Sequence, residues 1–102
     1  MINIAVAGCG YWGPNLIRNF KVLPECEVPL VCDTDPNRLA YIRSLYPDTK
    51  TTTDFSAIIE DPTINAVAIS TPVRTHFEMA QQSLMAGKHT FIEKPMVSSV
   101  RE

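Results

Sequence analysis

Apolar residues fall in short blocks separated by polar, proline-containing stretches, and the spacing within successive blocks alternates between a strand-like and a helical period. Ile2, Ile4, Ala5, Val6 and Ala7 form a nearly continuous apolar run ending at Gly8, the pattern of a strand buried on both faces of a parallel sheet. Pro14 follows Gly13 and suits a first helical position, after which Leu16, Ile17 and Phe20 recur at helical spacing. Val28 to Cys32 predicts a second strand; Pro29 within it can donate no ladder hydrogen bond, so pairing is expected to start only near Leu30. Asp35 before Pro36 reads as an N-cap with proline at the first helical position, and Leu39, Ile42 and Leu45 line one face of this helix up to Pro47.

A weaker strand is expected around Lys50 to Thr53. Asp54 then caps a short helix with Phe55, Ile58 and Ile59 inward, ended by Asp61 and Pro62. Ala66 to Ser70 reads as a fourth buried strand. Thr75 and Glu78 have capping-box spacing for a helix carrying Phe77, Ala80 and Leu84 and closed by Gly87, and Thr90 to Ile92 is a fifth strand. Strands alternating with helices require right-handed crossovers, so the expected fold is α/β: a Rossmann-like, doubly wound parallel sheet of five strands in order 3-2-1-4-5 with helices on both faces.

The 102 residues suffice for one small domain, and 45% hydrophobic with 20% charged residues is the balance of a folded globular chain. A formal net charge of -2 argues against nucleic acid, whose binding needs clustered Lys and Arg. The apolar runs fall far short of the ~20 residues of a membrane helix, and no membrane partner is expected. The N-terminus lacks the regions of a signal peptide, so the cytoplasm is the expected compartment. Cys9, Cys26 and Cys32 read as small buried residues, since neither they nor the two histidines have metal-ligand spacing. Ser99 and Glu102 have the spacing of a capping box for one more helix, from which a piece of a longer protein is expected.

Three of the four glycines stand in Gly8-Cys9-Gly10-Tyr11-Trp12-Gly13, a G-x-G-x-x-G between a buried strand and a helix. Gly8 suits the tight turn, Gly10 a close approach of pyrophosphate to the backbone, and Gly13 close packing of helix on strand. The phosphates would meet free N–H groups at the positive end of the helix dipole. Asp33 stands 20 positions beyond Gly13, the offset of an acid that holds the adenosine ribose hydroxyls. A carboxylate there favours NAD over NADP, although Arg38 one helical turn on could reach a 2′-phosphate. Ser70, Thr71 and Pro72 end the fourth strand, and Glu93, Lys94 and Pro95 end the fifth, at the sheet edge where such folds bind ligands. From spacing alone Lys94 is either a solvated strand-end lysine or a proton shuttle with a lowered pKa.

These residues together resemble the Gfo/Idh/MocA family of sugar and inositol oxidoreductases along essentially the whole chain. The likeness rests on the glycine loop continuing into Pro14 and Asn15, on Cys32-Asp33-Thr34-Asp35-Pro36, on Thr71-Pro72 with His76 four residues on, and on Ala86-Gly87-Lys88-His89 leading to Glu93-Lys94-Pro95. The resemblance implies a catalytic role for Lys94 at the nicotinamide and substrate. It places Thr71, Pro72, His76 and Glu93 along the cofactor, beside Gly8, Gly10, Tyr11, Trp12, Gly13 and Asp33. Val73 departs from the asparagine common after Thr-Pro in this family. The family's second domain, which supplies most of the substrate pocket, has no counterpart in these residues. The expectation is therefore a dinucleotide-binding domain over residues 1–102, without the substrate domain. It would belong to an oxidoreductase moving hydride between NAD and a sugar, sugar nucleotide or cyclitol, binding cofactor without turnover when alone and leaving an exposed face on which a homodimer could form. The alternatives are a non-catalytic NAD(H)-sensing module and a methyltransferase domain using S-adenosylmethionine.

Overall fold

A computed structural model of the chain describes residues 2–8, 13–70 and 73–92. Along them run β1 (Ile2–Ala7), α1 (Gly13–Lys21), β2 (Cys26–Cys32), α2 (Pro36–Leu45), β3 (Lys50–Thr52), α3 (Ser56–Glu60), β4 (Ala66–Ile69), α4 (Val73–Met85) and β5 (His89–Ile92). The strands pair in parallel in the order β3-β2-β1-β4-β5, as the alternation of strand and helix predicts.

Side-chain alternation along the central strands divides the interior into two layers. Ile4 and Val6 of β1 join Val28 and Val31 of β2, Ile17 of α1, and Leu39 and Ile42 of α2 on one face. Ala5 and Ala7 point the other way and meet Val67 and Ile69 of β4, Ile58 of α3 and Ala80 of α4. Large and small residues are exchanged between neighbours: where β1 presents Ile4 and Val6, adjacent β4 presents Ala66 and Ala68, and the reverse holds on the far face. Each helix layer therefore settles into a groove rather than onto a ridge, which keeps packing dense without overfilling. On the first face, Phe91 of β5 reaches Phe20 of α1, with ring centroids 6.5 Å apart.

Two expectations about strands and helices need correction. Pairing of β2 with β1 begins at Cys26, opposite Ile2, and not near Leu30; the register then slips between Asn3 and Ala5, so that Val28 and Pro29 share the space opposite Ile4. On its other side β2 meets β3 only from Leu30 onward, which leaves Pro29 at a position where no ladder donor is required. The second correction concerns α4, which starts at Val73, so Thr75 lies inside the helix instead of capping it. Of its expected apolar residues only Ala80 is buried; Phe77 is 76% and Leu84 62% exposed. The face toward the sheet is set by the small side chains of Ala80 and Ser83, with Met79 packed beside them, because they allow the helix axis close to β4. Leu45 at the end of α2 is likewise exposed, while Leu39 and Ile42 are buried as expected.

The helix ends follow local chemistry. Asp35 caps α2 by accepting the Asn37 N–H at 2.9 Å, and Asp54 Oδ1 accepts the Ser56 N–H at 3.0 Å at the start of α3. After α4, Gly87 takes φ 80; its N–H reaches the Leu84 carbonyl and the Lys88 N–H the Ser83 carbonyl, a Schellman closure. Lys88, buried, then donates from Nζ to the carbonyls of Asp61 (2.8 Å) and Ile64 (2.9 Å), tying the end of α4 to the loop entering β4.

Two substitutions test this account by urea unfolding. Gly87→Ala is expected to cost about 1 kcal/mol, all from the left-handed backbone, since a Cβ there meets nothing within 4 Å. Ser83→Ala is expected to stabilise the chain by roughly 1 kcal/mol, because Ser83 Oγ is buried with no hydrogen-bond partner among the described residues. A loss of stability in Ser83→Ala would show that the hydroxyl is satisfied.

Candidate functional site

β1, β2 and β4 end on the same edge at the centre of the sheet, and from there the chain leaves β1 toward one helix layer and β4 toward the other. Such a switch of direction opens a crevice beyond the strand ends. Two hydrogen bonds extend the ladders one residue past the strands: the Gly8 N–H donates to the Cys32 carbonyl and the Ser70 N–H to the Ala7 carbonyl, both at 2.7 Å. Gly8 has φ 94, a backbone conformation that an L side chain would strain. There the chain leaves the sheet, and α1 starts at Gly13 with first-turn N–H groups that lack intrahelical partners.

Beyond β2 the segment Asp33 to Arg38 folds on its own carboxylates. Asp33 is buried; its N–H donates to the Thr52 carbonyl at 3.1 Å, and its Oδ1 accepts the Asp35 N–H at 2.8 Å. Its other oxygen lies 3.8 Å from Arg38 Nη1, while Arg38 Nε lies 3.7 Å from Asp35 Oδ2. Asp54 completes an acidic rim: its N–H donates to Thr52 Oγ1, and the Ser56 hydroxyl and N–H hold its carboxyl below the usual range. At the end of β2, burial first and then the charges of Asp33 and Asp54 push the Cys32 thiol up to about 11. Cys32 is therefore a neutral apolar filler at this edge.

The structure brings Gly8, the start of α1 at Gly13 and Asp33 to the same edge of the sheet. His76 lies in the first turns of α4. Gly10, Tyr11, Trp12, Thr71, Pro72, Glu93 and Lys94 lie outside the described residues. Sequence reasoning did not anticipate the ion pair of Arg38 with both aspartates or the approach of Asp54 to Cys32. The i,i+3 spacing of Asp35 and Arg38 signals the first; nothing local signals the second, because β3 brings Asp54 in from elsewhere in the chain. Lys88, quoted within a family motif, stands instead at the opposite edge, where its contacts are structural.

The model of an oxidoreductase family with an NAD-binding Rossmann fold, Gfo/Idh/MocA, matches residues 2–102. The chain belongs to the Gfo/Idh/MocA family. Among its relatives is a glycosyl hydrolase family 109 protein of Shewanella amazonensis, 26% identical over 99% of this chain and 24% of the relative. Another is the scyllo-inositol 2-dehydrogenase (NADP(+)) IolW of Bacillus subtilis, 28% identical over 100% of this chain and 26% of the relative. Of solved structures, GenD2 from gentamicin A biosynthesis in complex with NAD superposes with a TM-score of 0.86 at 26% identity, over 93% of this chain and 27% of that one. The chain thus spans about a quarter of the length of the Gfo/Idh/MocA proteins it matches. No described helix is long and apolar enough to cross a membrane.

The Cys32 environment makes a direct prediction. With a pKa of about 11, roughly one thiol in a thousand is ionised at pH 8. Peptide-level mass spectrometry after iodoacetamide treatment of the native chain should find Cys32 unmodified at a time when the urea-unfolded chain is fully labelled there. Equal labelling in the two states would contradict the assigned burial and acidic field.

Proposed function

We propose that residues 1–102 form the NAD(H)-binding domain of an oxidoreductase that moves hydride between a nicotinamide cofactor and a hydroxyl or ketone of a sugar, sugar nucleotide or cyclitol, and that this domain alone binds cofactor without turnover. The observation that carries the reading is the pairing, on one sheet edge, of Gly8 at φ 94 and a buried carboxylate, Asp33, at the end of the neighbouring strand. The residues present fit the cofactor. A glycine turn entering a helix offers N–H donors and a positive dipole end to the pyrophosphate, and the Asp33 carboxylate offers acceptors to the ribose hydroxyls. The same acidic rim opposes a 2′-phosphate, so NAD is preferred over NADP.

In this reading Gly10 and Gly13 allow the close approach along the glycine loop, and Tyr11, Trp12, Thr71, Pro72, His76 and Glu93 line the cofactor. When bound, NAD supplies the hydride acceptor. Lys94, two positions after the last residue of β5 in the sequence, takes the proton of the substrate hydroxyl as its carbon becomes a carbonyl, and returns it in the reverse direction. Substrate selection belongs to a further domain, in keeping with the length of the relatives. The inositol dehydrogenase among them supports a polyhydroxylated substrate, and the family 109 glycosyl hydrolase keeps the substrate within carbohydrate chemistry.

Calorimetric titration of NAD into the purified chain tests the cofactor half of this proposal. Binding is expected, with Asp33→Ala weakening it by about 10- to 100-fold, the worth of hydrogen bonds to a charged acceptor. Selective binding of S-adenosylmethionine, or an affinity for NAD untouched by Asp33→Ala, would overturn it.

A further inference from the structure

We propose that the first half of β2 is a docking edge, on which an extended polypeptide segment of alternating apolar and basic side chains adds as a short strand. The edge lies at the amino ends of the parallel strands, opposite the end where Gly8 and Asp33 stand, and it does not depend on the cofactor reading.

β2 has seven residues and β3 three, and β3 pairs with β2 at Leu30, Val31 and Cys32 alone. Residues 26–29 therefore have β1 on one side and, among the described residues, no strand on the other. β3 cannot lengthen to fill the gap, because the Thr49 N–H is turned back to the Tyr46 carbonyl. Main-chain groups along a strand alternate between its two neighbours. The Glu25 carbonyl accepts the Ile2 N–H and so faces β1, which turns Cys26 and Val28 toward the gap. There the Cys26 N–H donates to the Leu23 carbonyl at 3.1 Å, and the Val28 carbonyl accepts the Thr49 hydroxyl at 3.4 Å. The Cys26 carbonyl and the Val28 N–H remain for an incoming chain, at the spacing that one residue of a parallel strand bonds. Pro29, with no N–H, ends the free edge.

A groove of about 550 Å³ runs along this edge. Leu23 and Pro24 line it with exposed apolar surface, and Glu27 and Asp48 with exposed carboxylates. The cation among its lining residues, Lys21, holds its ammonium 5.1 Å from the centre of the Tyr46 ring. The lining thus carries an excess of negative charge beside an apolar shoulder. An extended segment sends successive side chains to opposite faces, so alternating apolar and basic residues meet both surfaces at once. Main-chain hydrogen bonds then supply the attachment, and the two kinds of side chain supply the selectivity.

The test is an NMR titration of the isotope-labelled 102-residue chain with acetylated, amidated hexapeptides of alternating valine and arginine, or of alternating valine and glutamate. The arginine peptide is expected to shift the amides of Glu27 and Val28 and to slow hydrogen exchange at Val28 at least about tenfold, with the glutamate peptide at least about tenfold weaker. Methylating alternate backbone nitrogens of the arginine peptide should abolish binding in one phase and spare it in the other, since only one edge of the added strand bonds β2. Glu27→Lys/Asp48→Lys should reverse the preference between the two peptides; Asp48→Lys alone, in the loop before β3, should narrow it if the double variant does not fold. The proposal is overturned if millimolar arginine peptide leaves the amides of residues 26–28 unmoved, if the glutamate peptide binds equally well, if the two methylation phases act alike, or if the folded variants keep the parent's preference. Protection of Val28 that grows with protein concentration in the absence of peptide would assign the edge to a second copy of this chain and overturn it as well.

Discussion

β1 is bordered by strands on both sides and covered by helices on both faces, and that double burial governs the rest of the molecule. Ile4 and Val6 must be covered by one helix layer and Ala5 and Ala7 by the other, so the chain has to cross the sheet in both directions from this strand. Right-handed crossovers then reduce the arrangements of the four remaining strands to a few, of which this chain adopts β3-β2-β1-β4-β5. The exchange of large and small residues between β1 and β4 lets both layers approach closely, and it accounts for the number of alanines in the centre of the sheet.

The same constraint creates the candidate site. A parallel strand buried on both faces can present polar groups only at its ends, and the switch of crossover direction opens the carboxyl end of the sheet at its middle. Gly8 and Asp33 stand there because strand pairing ends there: the Gly8 N–H closes the last hydrogen bond to Cys32, and Asp33 is the next residue along β2. Fold and site are thus one geometric fact. The acidity of that edge follows from local chain chemistry, since Asp35 is the N-cap of α2 and Asp54, one residue before the N-cap position of α3, accepts the Ser56 N–H, and both lend their charge to the rim as a consequence.

Several residues that belong to recognisable motifs turn out to hold the scaffold instead. Lys88 sits inside the family pattern, yet its ammonium satisfies two loop carbonyls at the edge remote from Asp33. Gly87 before it supplies the left-handed residue of a helix ending. Both secure the passage from α4 into β5, the strand whose carboxyl end leads to Glu93 and Lys94. A motif can therefore contain residues whose work is structural.

Much of the architecture was legible in the residue order. Continuous apolar runs, Asp-Pro and glycine boundaries and the two alternating periods are local signals, and they located every strand among the described residues, Gly8 at the end of β1 and Asp33 at the end of β2, along with the strand order. What they could not decide was which side of a helix meets the sheet when its smallest residues form the contact. On α4, Ala80 and Ser83 are buried while Phe77 and Leu84 face outward, because close approach to β4 outweighs side-chain size. Nor could they show that β2 pairs with β1 on both sides of Pro29, since a register slip depends on both strands at once. The charge around Asp33 was legible only in part: the i,i+3 spacing of Asp35 and Arg38 marks the ion pair locally, whereas Asp54 is carried in by β3 and has no local signal. Local patterns set where elements begin and end and which neighbouring charges can pair; long-range packing decided which faces the elements bury and brought Asp54 to the end of β2.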